Sequence, residues 1–129
     1  MKILEGLKYT NNDEWVKLDG TIATVGISDY AQEQLSDVVF VEILVSKGDT
    51  VTQGDSSATI ESVKAAADVY IPISGVILNI NEKLADTPEV INSDPYGQAW
   101  MVKIEINNQN EYENLLSPAA YEARIQERN

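Results

Sequence analysis

The chain has no cysteine and no histidine among its 129 residues. The first absence excludes thiol nucleophiles, protein disulfides and thiolate metal sites. The second excludes a Ser-His-Asp arrangement and removes the side chain that ordinarily titrates near pH 7. Either such a chain works through carboxylates or it does no catalysis by itself. Basic residues are scarce as well. Nine Lys+Arg stand against 21 Asp+Glu, a net charge of −12. That charge repels nucleic-acid phosphates and anionic membranes, so neither is an expected partner. No apolar run approaches the roughly 20 residues that cross a bilayer. Residues 1–6 lack the features of a signal or transit peptide. The missing cysteine assigns no compartment, because a reducing cytosol merely permits it.

What is present is a chain with 43% hydrophobic residues, enough for a packed core in one domain spanning 1–129. Short alternating runs dominate. Trp100, Val102, Ile104 and Ile106 predict one face of a strand, with Met101, Lys103, Glu105 and Asn107 on the other. Val69, Ile71 and Ile73 alternate with Tyr70, Pro72 and Ser74. Residues 38–45 read as a strand buried on much of both faces. Residues 15–18 and 21–27 read as a hairpin turned at Asp19-Gly20. Lys47-Gly48-Asp49, Gln53-Gly54-Asp55 and Ser74-Gly75 are turn signals. The echo between 45–49 and 52–55 is too short to count as a repeat. Strands at this spacing suggest a sandwich or a barrel.

Helical signals are few. Ser28 can cap a helix through residue 35, with Ala31 and Leu35 on one face. Residues 81–92 hold helical turns, with Thr87-Pro88 as a start signal. Asn110 with Glu113 resembles a capping box for 111–116. Ser117-Pro118 opens a second helix to about 127. The expectation is a β-rich domain with a helical end at about 111–127.

The segment 58–75 carries the chemistry. One strand runs up to Val63 and another leaves from Val69, so Lys64 falls at or near a hairpin tip. Small residues follow it, and Glu61 and Asp68 flank it. Taken alone, this is a solvated lysine between acidic neighbours. The wider pattern is more specific. Gly48 lies 16 residues before Lys64, Glu61 three before and Gly75 eleven after. This resembles a lipoyl-attachment hairpin. The string Glu61-Ser62-Val63-Lys64-Ala65-Ala66-x-Asp68-Val69-Tyr70 is similar to that of the H protein of the glycine cleavage system. The resemblance continues through Tyr9-Thr10-Asn11-Asn12-Asp13-Glu14-Trp15, the segment from Ala23 to Gln32, Val38-Val39-Phe40-Val41-Glu42, and Asn92-Ser93-Asp94-Pro95-Tyr96-Gly97-Gln98-Ala99-Trp100. Several motifs in order are more specific than any single one. Two departures stand out: Asp13 where the family usually has His, and Ala99 where it has Gly.

The resemblance implies a mainly β fold, a flattened barrel-sandwich hybrid of two small antiparallel sheets with short helices and a C-terminal helix. It implies a non-catalytic carrier with lipoic acid bound covalently to Lys64, and it sets Glu61, Gly48 and Gly75 in the attachment pattern. An arginine could not take the place of Lys64, because its guanidinium stays protonated and acylates poorly. Acylation would move the net charge from −12 to −13. The implied partners are the P protein (a pyridoxal-phosphate glycine decarboxylase), which loads an aminomethyl group on the lipoyl arm, and the T protein (aminomethyltransferase), which unloads it. The L protein (dihydrolipoamide dehydrogenase) reoxidises the arm, and a lipoate ligase or lipoyl/octanoyl transferase installs it.

Glu14 and Asp68, with Asn12 as a lesser contact, are expected to hold the loaded amine in a cleft. The alternative is that both carboxylates are ordinary solvated groups. Trp15 and Trp100 are expected to serve packing, and Gly75 backbone conformation. The acid-rich surface is expected to serve mostly solvation. A monomer in a bacterial-type cytoplasm is expected, a mature mitochondrial chain being the other option.

Another functional reading keeps the arm but relays lipoyl groups to other lipoate-dependent complexes, a divergence that Asp13 leaves room for. A detached 2-oxo acid dehydrogenase module would be shorter. A biotin carrier would show Met-Lys-Met in place of Val63-Lys64-Ala65. No carboxylate spacing points to a glycosidase.

Overall fold

The computed structural model describes residues 1–128. Its strands are β1 (Lys8–Tyr9), β2 (Glu14–Asp19), β3 (Ile22–Ile27), β4 (Val38–Ile43), β5 (Thr50–Val51), β6 (Ser56–Ser62), β7 (Ala66–Tyr70), β8 (Gly75–Ile80) and β9 (Val102–Ile106). The helices are α1 (Asp29–Leu35), α2 (Val90–Ser93), α3 (Gln109–Glu113) and α4 (Pro118–Arg128), with a 3-10 turn at Glu82–Ala85. All pairings between these strands are antiparallel. They make a six-stranded sheet ordered β1-β2-β3-β9-β8-β5 and a three-stranded sheet ordered β4-β6-β7. This is the mainly β, two-sheet architecture expected from the resemblance.

The alternating strands supply the core. Val16, Ala23, Val25, Ile77, Val102 and Ile104 of the large sheet join Val41, Ala58, Ile60 and Val69 of the small one in a single buried cluster. Burying each Val or Ile stabilises the fold by about 1.5–3 kcal/mol before entropy is counted. A second cluster contains Leu7, Tyr9, Trp15, Tyr30, Tyr121 and Ile125. Tyr121 and Ile125, one turn apart, are the buried face of α4, and Tyr121 stacks on Tyr9 with centroids 4.4 Å apart. Trp15 is core, its Nε1 donating to the Pro95 carbonyl at 2.9 Å.

Several expectations are corrected in detail. Residues 38–45 are not buried on both faces: β4 is an edge strand with one covered face, and Val39, Phe40 and Leu44 are exposed. A bulge between Val38 and Phe40 breaks the alternation there. The strand near residue 100 begins only at Val102. Met101 and Val102 are both buried, since the Met101 N–H still reaches the Val25 carbonyl at 2.7 Å. Trp100 stays half-buried beneath the Lys103 ammonium, 5.0 Å from its ring centroid. The helix expected at 111–116 starts earlier and is capped by Asn108, whose side-chain Oδ1 accepts from the Asn110 N–H.

Ser74-Gly75 is not a turn: the chain bends at Pro72-Ile73, and Gly75 opens β8. Its role is spatial, because an added Cβ would lie 2.1 Å from the Glu105 carbonyl oxygen. Ala99 is buried without left-handed backbone, so losing the family's glycine there carries no torsional strain. The short echo proves to be one turn built twice. Asp49 and Asp55 each accept, at 2.8 Å, the N–H of the residue three positions earlier. Gly48 and Gly54 take φ of +94° and +96° and donate to Ile77 and Ile71.

Candidate functional site

β6 and β7 pair from Ser56–Tyr70 to Glu61–Ala66, which leaves Val63, Lys64 and Ala65 as the connecting tip. Ser62 organises that tip. Its N–H donates to the Ala65 carbonyl at 2.8 Å, while its hydroxyl oxygen accepts from the N–H groups of Ala65 at 3.0 Å and Lys64 at 3.3 Å. The Val63 N–H donates to the Asp37 carbonyl at 3.0 Å, which ties the tip to the start of β4. Lys64 is exposed, and among the described residues its ammonium makes no ion pair. A backbone held this way presents a long, free amine on a fixed base.

The other predicted residues fall in three places. Glu61 is exposed on β6, between Phe40 and Ala66. Gly48 and Gly75 belong to the β5–β8 edge of the large sheet and not to the hairpin tip. Glu14 and Asn12 line a cleft of about 280 Å³ together with Thr10, Gln53, Tyr70 and Leu116. Asp68 does not line it. It lies exposed on β7, on the same face as Ala66 and Tyr70, between the hairpin tip and the cleft. Ala66 to Tyr70 covers about 13 Å at the rise of a strand.

Glu14 is not a solvated carboxylate: only 1% of its surface is exposed. The Thr10 hydroxyl donates to its Oε1 at 2.5 Å and the Tyr70 N–H to its Oε2 at 3.1 Å. Burial raises its pKa from the ordinary 4.5 to about 7, against the lowering effect of those two hydrogen bonds. Thr10 also accepts from the N–H groups of Asn12 and Glu14, both at 3.1 Å, and so shapes the loop that carries them.

That loop is held from behind by α4. Asp13 has φ +70°, a left-handed conformation that Asp tolerates better than most residues. Its Oδ1 accepts from Arg128 Nη1 at 2.7 Å and from the Tyr121 hydroxyl at 3.0 Å. Ser28 and Tyr121 share a hydrogen bond of 2.6 Å; with Tyr121 committed as donor to Asp13, Ser28 is the donor here. Arg128 Nη2 donates to the Asn11 carbonyl and Arg124 Nη1 to the Asn11 side chain, each at 2.9 Å. The departure at Asp13 is thus absorbed inside the molecule. Sequence reasoning missed Thr10, Tyr70, Arg124 and Arg128. One signal was available: the chain's two arginines stand four apart on a helix.

The fold and hairpin define a prosthetic-group carrier of the lipoyl/biotinyl type, a β-sandwich that displays one lysine at a turn. Comparison with known proteins narrows this. The family model described as glycine cleavage H-protein matches residues 7–128. The glycine cleavage system H protein of Carboxydothermus hydrogenoformans is 48% identical over 121 residues, covering 94% of this chain and 92% of its own. The mitochondrial H protein of Oryza sativa subsp. indica is 47% identical, covering 97% and 76%. The crystal structure of the H protein from Mycobacterium marinum matches with a TM-score of 0.87 at 32% identity, covering 96% and 99%. The chain belongs to the glycine cleavage H-protein family. It is a non-catalytic carrier component of that system with a lipoyl-carrier role, and membership implies the P, T and L proteins as partners.

Proposed function

We propose that this chain carries lipoic acid as an amide on Lys64 and moves the aminomethyl group of glycine from the P protein to the T protein, the L protein restoring the arm. The observation that supports this most is the free Lys64 amine on a tip braced by Ser62. The residues around it fit the attached group. Nothing bulky follows the lysine, and its ammonium has no carboxylate partner to give up among the described residues. A lipoate ligase or lipoyl/octanoyl transferase would install the group. The Lys64 ammonium first gives a proton to a base of that enzyme. The freed nitrogen attacks the carbonyl of an acyl-phosphate anhydride or a thioester, and the N–C bond forms as the C–O or C–S bond to the leaving group breaks. The second nitrogen proton passes to the leaving group or to the enzyme's base. When bound, the dithiolane supplies the sulfur chemistry that a chain without cysteine lacks.

The chain's own residues position and shelter. The outer face of β7, with Asp68 midway, leads from the hairpin toward the cleft that holds Glu14 and Asn12. An amine is protonated at neutral pH and favours a carboxylate beside it. Glu14, poised near neutrality, would give up its proton as a cation enters. An amine seated against these walls would meet less water than one on a fully extended arm. Monomeric action in a bacterial-type cytoplasm is part of this proposal, and the relatives include a bacterial chain, that of Carboxydothermus hydrogenoformans.

Intact mass after co-expression with a lipoate ligase tests the attachment. One lipoyl addition is expected, and Lys64→Arg should abolish it. Glycine–bicarbonate exchange with purified P protein then tests the glycine assignment. A lipoylated protein inert in that exchange would favour the relay to other lipoate-dependent complexes instead.

A further inference from the structure

The exposed face of the small sheet is unusual for a protein this acidic. Phe40, Glu61 and Ala66 stand opposite one another across β4, β6 and β7, and Glu42, Thr59 and Asp68 form the next row. Phe40 is 47% exposed, and its neighbour Val39, in the bulge, 54%. Val63, beside Lys64 at the tip, is 67% exposed. Val63 thus adjoins the lysine, and Phe40, opposite Glu61, and Val39, in the bulge between the Val38–Ser62 and Phe40–Glu61 pairs, lie beside the end of the hairpin, with the carboxylates of Glu61 and Glu42 on the same face. Lys64 is the only basic residue in residues 37–70 other than Lys47. β4 is also an open edge, and from Phe40 a groove of about 340 Å³ runs along it to the turn at Glu82–Ala85, its charged residues being Glu42 and Glu82. Solvent-exposed Val and Phe on a free edge are a liability that a protein keeps only at a cost.

From this face we infer a docking surface for the enzyme that acylates Lys64: Val39, Phe40 and Val63 enter an apolar recess on that enzyme, and Glu42 and Glu61 meet Lys or Arg side chains at its border. The inference rests on the lipoyl-carrier reading above. The choice of partner follows from reach. An enzyme that forms a bond to the Lys64 nitrogen must bring its own active site to the hairpin, so residues beside the lysine enter its contact area. Enzymes that work on the sulfur end of a finished arm meet it at a distance and have no need of Val39 or Phe40. Charge agrees with this choice, since the face offers only carboxylates apart from the amine that is to be consumed. Glu61 belongs to the attachment pattern already described; Val39, Phe40 and Glu42 do not.

The experiment compares lipoylation by a purified lipoate ligase with ATP and lipoate, read by intact mass. The substrates are the unaltered chain, Val39→Ser/Phe40→Ser, Glu42→Lys, and Leu44→Ser as a control just beyond β4. Circular dichroism checks that each is folded. Loss of at least tenfold in kcat/KM is expected for Val39→Ser/Phe40→Ser, a smaller loss for Glu42→Lys, and less than twofold for Leu44→Ser. The double variant, once fully lipoylated by prolonged reaction, should support normal glycine–bicarbonate exchange with P protein. Equal acylation of all four chains overturns the inference. So does an exchange defect in the lipoylated double variant as large as its acylation defect, which would assign the face to the P protein. If the double variant is unfolded, Phe40→Thr alone carries the test with the same two readouts. Failure of the unaltered chain to accept lipoate would overturn the carrier reading itself, an outcome separable from the others.

Discussion

Glu14 should make the stability of this protein fall as pH rises, and the size of the fall follows from its burial. In the unfolded chain its carboxyl titrates near 4.5; in the fold it titrates near 7, because almost no surface remains to hydrate the anion. The native state therefore binds more protons than the unfolded state between those values. Below 4.5 both states hold the proton and the group costs nothing. As pH rises through 7 the native state must accept a buried anion, and stability is lost. At 1.36 kcal/mol per pH unit, the interval from 4.5 to about 7 amounts to about 3 kcal/mol. Glu14→Gln removes the titration and leaves a separate, pH-independent cost. An amide has one acceptor oxygen, so either the Thr10 hydroxyl or the Tyr70 N–H loses its partner, at about 1–3 kcal/mol. The assay is urea unfolding of both proteins from about pH 4 to pH 8, with their difference taken at each pH so that other titrating groups cancel. The difference should shift toward the variant by about 3 kcal/mol across that range. Two parallel stability curves would refute the reasoning, whatever their offset.

Three further outcomes are expected. Asp13→Ala, Arg128→Ala and the double variant should show a coupling of about 0.5–1 kcal/mol in urea unfolding, since the pair is partly exposed to solvent screening; a coupling of zero would mean that the ion pair does not hold the loop. Gly75→Ala should destabilise by about 3 kcal/mol or more because β9 has no room for a methyl group. Gly48→Ala, which meets nothing within 4 Å but requires φ +94°, should cost only about 1–2 kcal/mol; thermal unfolding that ranks them the other way would contradict the packing. Glu14→Ala should shorten the lifetime of the aminomethyl-loaded protein in buffer more than Asp68→Ala does, because Glu14 lines the cleft and Asp68 only its approach; mass spectrometry over time decides, and equal lifetimes would remove Glu14 from the role.

The parts of this fold that were legible in the sequence are those set by local chemistry. Ser28 and Ser117 cap helices because a hydroxyl can accept the N–H three residues on, and Gly20 turns the β2–β3 hairpin with φ +64°. Lys64 could be placed at a tip because strands bounded it on both sides. What escaped was set by neighbours distant in sequence. The run at 38–45 has the composition of a strand buried on much of both faces, but among the described residues nothing covers the outer face of the small sheet, and that leaves Phe40 in solvent beside Glu61 and Ala66. Asp68, four residues past the lysine, reads as part of a cleft, yet it shares the outer face of β7 with Tyr70 and stops one pleat short, so that Tyr70 reaches the cleft and Asp68 only its approach.

Asp13 shows why a departure from a family pattern cannot be valued residue by residue. As an added negative charge beside Glu14 it should have weakened a carboxylate cleft, and it does contribute to raising that group's pKa, though less than burial. The same carboxylate accepts from Arg128 and Tyr121, more than 100 positions away in the chain. The charge of Asp13 is thus largely answered by α4, and the loop bearing Asn12 and Glu14 gains a brace from it. A substitution that looked like altered chemistry is, in the fold, a change in how the cleft wall is fastened. Its consequence should therefore be sought in how firmly Glu14 is held before it is sought in a change of partner.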